Sequence, residues 1–113
     1  MDELVLAVRD LAKEYWNETG DNQIEAFPKS VVAFVIEYAI RRCHFPNNYS
    51  TEKIVEVMNQ FQNSLAMASV DVYSKAGAEG EKSHSENGIA RTYSDSYIDE
   101  KLLASLPNYV KVL

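Results

Sequence analysis

The chain has 113 residues, a length that makes one small domain with one core of its own. Hydrophobic residues make up 46% and charged residues 25%, the balance of a folded globular chain and not of a disordered one. The formal net charge is −6, and Arg41–Arg42 is the one place where two basic residues adjoin. A protein that grips nucleic acid neutralises phosphates with clustered Lys and Arg, so tight DNA binding is not expected. The deficit sits in residues 1–20 and 76–99, each summing to −3, while residues 21–75 sum to −1. An acidic wall of this kind suits a conduit past which DNA slides without sticking.

A single cysteine, Cys43, leaves no intrachain disulfide and points to no oxidising compartment. The longest unbroken apolar run, residues 31–36, falls far short of the ~20 residues of a membrane span. The N-terminus opens on Asp2 and Glu3, so neither a span nor a secretory signal is expected.

The periodicity is helical throughout the first two thirds, and no repeat or low-complexity tract interrupts it. A first helix is predicted over about residues 2–18, capped by Asp2, with Leu4, Val8, Leu11 and Tyr15 at helical spacing and a stop at residues 19–22. A second begins near Pro28, a residue suited to the first helical turn, and between Val31 and Ile40 only Glu37 breaks the apolar character. A helix apolar on nearly every side is expected at the centre of the fold. Residues 46–48, Pro-Asn-Asn, end it.

Ser50 or Thr51 is predicted to cap a third and longest helix over about residues 51–75, with Glu52 in its first turn. Along it Ile54, Met58, Phe61, Leu65, Ala68 and Val72 repeat in steps of four and three, the stripe of a helix facing a helical neighbour. Residues 57–70 contain no charge at all. Such a stretch is either shielded by its own chain or packs against another subunit, since interface cores are depleted in charge. The second reading makes Gln60, Ser64, Met67 and Ala68 candidate subunit-interface residues.

The helical pattern ends at Gly77, and a loop is predicted over residues 76–93. Asn87-Gly88 is the favoured pair of a tight hairpin turn, so residues 81–93 read as two short strands of marginal stability without a partner. A short fourth helix follows, with Ser96 and Asp99 as its capping pair and Ile98, Leu102, Leu103 and Leu106 as its apolar face. Residues 107–113 form an extended tail whose last five, Tyr109-Val110-Lys111-Val112-Leu113, are mostly apolar. Such a segment either tucks into its own domain or joins a partner as an added strand.

Catalytic and metal chemistry find little support. Cys43, His44 and His84 are the candidate metal ligands, but Cys43 and His44 are adjacent and diverge at a helix end, and no paired zinc motif accompanies them. Cys43 on a buried helix is better read as a small hydrophobe than as a nucleophile. Glu37 is a lone carboxylate that reaches the helix edge or pairs with Arg41 at i+4. The glycine-rich phosphate loops and the zinc-protease motif are absent, and the glycines at 77, 80 and 88 are spaced for turns. No enzyme and no cofactor are expected.

The segment Gly80-Glu-Lys-Ser-His-Ser-Glu-Asn-Gly-Ile-Ala-Arg-Thr-Tyr93, with the short helix and the Leu-Pro-Asn-Tyr-Val-Lys-Val-Leu end, resembles the small head–tail connector proteins of tailed bacteriophages and prophages. These are also called head-completion, adaptor or DNA-packaging proteins. The order of elements agrees over the whole chain, and the first helix, with Trp16, adds no motif of the family. The resemblance implies an all-α bundle of about four helices with a long central helix, a hairpin-like loop and an extended tail, in one domain over residues 1–113. It implies a virion protein, assembled in the bacterial host cytoplasm, that forms a dodecamer-like ring below the portal, extends the DNA channel, helps retain packaged DNA and offers a docking platform to a tail-completion or stopper protein. Ser83, His84, Asn87, Gly88, Arg91, Tyr93, Tyr109, Val110 and Val112 are then the candidate contacts to the portal or a neighbouring subunit. The alternative is a small helical, phage-encoded binding or regulatory protein, for which a basic recognition helix would speak and none is evident.

Overall fold

The computed structural model describes residues 1–19, 23–80 and 98–109 of the chain. They form an all-α bundle: α1 (Asp2–Thr19), α2 (Lys29–Cys43), α3 (Thr51–Asn59), α4 (Gln62–Gly80) and a single-turn 3-10 helix (Glu100–Leu103), with no strand among the described residues. No helix among these residues is long and apolar enough to cross a membrane. The expected hairpin over 81–93, and with it Ser83, His84, Asn87, Gly88, Arg91 and Tyr93, lies outside the described residues, as do Ser96, Val110 and Val112.

Helix α1 begins one position earlier than a cap at Asp2 allows. The Met1 carbonyl accepts the Val5 N–H at 3.1 Å, so Asp2 and Glu3 lie in the first turn, where the exposed N–H groups favour negative charge. Leu4, Val8 and Ala12 are fully buried, while Leu11 and Tyr15 of the expected stripe are half-buried. Near its end Asn17 pins the returning chain: its side chain donates to the Ile24 carbonyl at 3.1 Å and accepts the Ile24 N–H at 2.9 Å. Arg9 Nε donates to the Phe27 carbonyl at 2.8 Å. These bonds deliver Phe27, 0% exposed, into the core beside Trp16 and Tyr73, with ring centroids 6.5 and 5.1 Å away.

Pro28 caps α2 rather than opening it, with extended dihedrals (φ −61°, ψ 125°), and its carbonyl accepts the Val32 N–H at 3.5 Å. Val31, Val32, Val35, Ile36, Ala39 and Cys43 are buried, and α2 packs against both α1 and α4. The central position expected from its composition is shared with α4, which packs against α1, α2 and the 3-10 helix. At the far end His44 takes the left-handed conformation (φ 55°, ψ 54°), and its N–H turns back to the Arg41 carbonyl at 3.3 Å.

The long third helix expected over 51–75 is two helices. Ser50 caps α3 through its hydroxyl, which accepts the Lys53 N–H at 3.1 Å. At its other end the Gln60 N–H turns to Val57 O (3.1 Å) and the Phe61 N–H to Met58 O (2.9 Å), the i−3 bonds of a tighter turn, before the Leu65 N–H returns to Phe61 O at 3.0 Å. No proline or glycine marks the break. Met58 on α3 and Leu65 on α4 both enter the core on either side of it. Helix α4 also runs to Gly80, past the Gly77 at which the pattern ends. Isolated glycines cost a helix only about 1 kcal/mol each, and Ala76, Ala78 and Glu79 around them are helix formers. The predicted loop therefore gives up residues 76–80 to the helix.

The expected fourth helix is a single 3-10 turn, capped by the Asp99 side chain, which accepts the Lys101 N–H at 3.0 Å. Asp99 is thus the cap itself and not the third residue of a box begun at Ser96. The apolar face is where the sequence places it: Ile98, Leu103 and Leu106 are buried and Leu102 is half-buried against the core.

Candidate interaction surface

The uncharged stretch from 57 to 70 divides between interior and surface. Leu65, Ala66, Ala68, Ser69 and Val72 of α4 are all buried, and the Ser69 hydroxyl is satisfied by donating to the Leu65 carbonyl at 2.8 Å. Charge is absent at these positions because an ion there would lose its water without a partner. Ala68, a candidate interface residue, is 1% exposed and belongs to the chain's own core, so no second subunit can reach it. Its place on the stripe with Leu65 and Val72 explains the difference.

What remains outside is a neutral face that ends at Met67, which is 49% exposed. Asn59, Gln60 and Asn63 are exposed around and before it, and Ser64 is half-buried. Three of their oxygens are engaged within the chain: Tyr15 OH donates to Asn63 Oδ1 at 2.9 Å, Gln62 donates to Asn59 Oδ1 at 2.9 Å, and Ser64 and Ser105 share a hydrogen bond at 3.2 Å. The Lys75–Asp71 ion pair, 2.9 Å, lies beyond Met67 on the same helix. Of the four candidate interface residues, Gln60, Ser64 and Met67 thus adjoin one accessible surface and Ala68 does not.

A second cluster holds the C-terminal segment to α2. Tyr38 OH donates to Glu100 Oε2, and Arg42 Nε donates to Oε1 of the same carboxylate at 2.6 Å. The bonds from Tyr38 and Arg42 hold the Glu100 carboxyl below the usual carboxylate range. Nine residues after Glu100 the Tyr109 N–H donates to the Cys43 carbonyl at 2.8 Å, and its ring packs against Phe45 and Tyr49 at 5.3 and 5.7 Å. Tyr109, a candidate portal contact, is therefore tucked into its own domain and half-buried. The i, i+4 spacing of Tyr38 and Arg42 is visible in the sequence, but their shared partner, 58 residues beyond Arg42, is not.

The groups weighed for catalysis stay apart. Cys43 is fully buried, and burial pushes its thiol up against the opposing pull of the Arg42 charge. His44 and Glu37 are exposed. Among the described residues no group of three or more His, Cys, Asp and Glu side chains is placed to hold a metal ion. Comparison of the chain with protein-family models, curated proteins and solved structures finds no match.

Proposed function

We propose that the chain is a structural assembly subunit of the head–tail connector kind, forming a ring below a phage portal through the neutral face of α4. The reading is supported by the resemblance around residues 80–93 and by the acidic balance, which suits a channel wall. The observation that carries it is Met67: a large apolar side chain, half exposed, one turn after the uncharged Asn63 and Ser64 on a chain of net charge −6. Interfaces are enriched in Met and depleted in Lys, Glu and Asp at their centres. Gln60 and Ser64 border the same contact, and the portal and the tail-completion protein are the partners above and below the ring. Assembly, and no catalytic step, is the activity.

The test is the mass of the protein in solution as concentration rises. The wild type is expected to self-associate into a closed ring, and Met67→Glu to remain a monomer with an unchanged melting midpoint. Assembly of Met67→Glu at the wild-type concentration would place the interface elsewhere. A wild type that stays monomeric at every concentration and in the presence of portal rings would overturn the reading.

A further inference from the structure

Between the first two turns of α1 and the length of α3 runs a groove made of two adjoining cavities of about 510 and 360 Å³, which share Met1, Val55 and Asn59. Leu4 lies deepest, fully buried, with Ala7 and Val55 half-buried above it and Met1 46% exposed beside them. Asp2 and Glu3 on the α1 side, and Glu52 and Glu56 on the α3 side, are exposed and form the margins. On α3 the arrangement follows from helical spacing, since Glu52, Val55, Glu56 and Asn59 stand at steps of three, one and three on one face.

Charge and backbone together define what fits. No Lys, Arg or His lines the groove, and the Met1 ammonium is the one positive group against four carboxylates. None of the four is in an ion pair with another described residue. They are spread along the groove and do not converge: among the described residues no group of three or more His, Cys, Asp and Glu could hold a metal ion. The complement is therefore an extended surface with several positive charges flanking an apolar strip, and not a point cation. The described residues contain no strand, so an extended peptide finds no sheet edge to pair with. No aromatic ring lines the groove to receive a proline-rich segment. A helix satisfies its own backbone and needs neither.

We propose that this groove is the docking site for a basic amphipathic helix of a partner protein. The apolar stripe of that helix covers Met1, Ala7 and Val55, and its Lys and Arg side chains face the acidic margins on both sides. The nine residues of α3 extend about 13 Å, room for roughly two and a half turns of the incoming helix. Asn59 and Gln62, bonded to each other at 2.9 Å, form an uncharged polar end. The groove shares Asn59 with the neutral face that ends at Met67, but its charged margins lie on α1 and α3, and its occupation does not depend on ring assembly.

The experiment titrates the full chain with a synthetic peptide of about 14 residues, long enough to form a helix on binding, with leucine along one helical face and lysine on both flanks. Fluorescence anisotropy reads the affinity, and NMR amide shifts read the place. Saturable binding with shifts at residues 2–7 and 51–59 is expected, weakening as sodium chloride rises from about 50 to about 300 mM. Glu56→Lys should weaken it about tenfold, because it sets like charges against each other at the margin. Glu18→Lys makes the same change in net charge at the other end of α1 and should bind as the wild type does, both variants keeping the wild-type melting midpoint. A peptide with serine in place of leucine should not saturate. Equal weakening in the two variants, or equal binding of the serine peptide, would show attraction to net charge alone and overturn the proposal. So would a leucine–lysine peptide that never saturates. Shifts at the same amides on raising the protein concentration without peptide would give the groove to a second copy of the chain and overturn it as well.

Discussion

Arg42 Nε lies 2.6 Å from Glu100 Oε1, so the last turn of α2 is tied to a residue 58 positions later in the chain. With Tyr38 on the other oxygen, the carboxylate is gripped from two successive turns of one helix. The grip fixes the segment that carries Ile98, Leu103 and Leu106 into the core.

This clasp has a pH signature. The Glu100 carboxyl is held below its unfolded value of about 4.3, so its contribution is fully present above that value and is lost as the pH falls through the folded one. Its side chain is 54% exposed, and solvent screening limits the contribution to about 1 kcal/mol or less. Glu100→Gln should lower the unfolding free energy by that amount between pH 5 and 7. The gap from the wild type should close in denaturant titrations below about pH 4. A gap that is the same at pH 3 and pH 6 would show that the loss comes from packing.

The placement of Tyr109 predicts a step in a truncation series. A chain ending after Tyr109 keeps the bond to the Cys43 carbonyl and the contacts with Phe45 and Tyr49. One ending after Asn108 loses both, at a cost of about 2 kcal/mol. Thermal unfolding of the two truncated chains should show the step between them. Equal midpoints would mean that the Tyr109 contacts carry no stability.

Neighbouring residues on α4 should behave in opposite ways. Ala68→Arg forces a charge into a site 1% exposed and should cost more than about 3 kcal/mol, enough to unfold much of the protein. Met67→Glu, one residue earlier and half exposed, should leave the circular-dichroism melt within about 0.5 kcal/mol of the wild type. Loss of folding in the second variant would place Met67 in the core.

Replacing His44 with glycine removes a Cβ from a left-handed cap. His44→Gly should stabilise the protein by roughly 0.5 to 1 kcal/mol, the relief at the cap less the added freedom of the unfolded chain. Denaturant unfolding measures it. A loss of stability would show that the imbalance at φ 55° is more than repaid by contacts of the ring.

The helical class, the cap at Ser50 and the burial of Val31, Val35, Ile36, Leu65 and Val72 were legible in the sequence because period and capping chemistry are local. The break at Gln60–Phe61 was not, since no helix-breaking residue stands there and Met58, Phe61 and Leu65 keep helical spacing across it. The same holds for Ala66 and Ser69, which lie off the main stripe and are buried in a bundle where α4 packs against α1, α2 and the 3-10 helix together. The absence of charge over residues 57–70 could not separate Met67 outside from Ala68 inside. One residue on a helix turns about 100°, and only the packed neighbours decide which side is wet.

Of the nine residues of α3, Met58 alone is fully buried, and the i−3 turn at Gln60 and Phe61 breaks the backbone ladder that would otherwise bind it to α4. The helix therefore forms a small cooperative unit of its own. It can unfasten at a fraction of the free energy needed to melt the bundle, and its amides should exchange with solvent deuterium well ahead of those in the buried turns of α2 and α4.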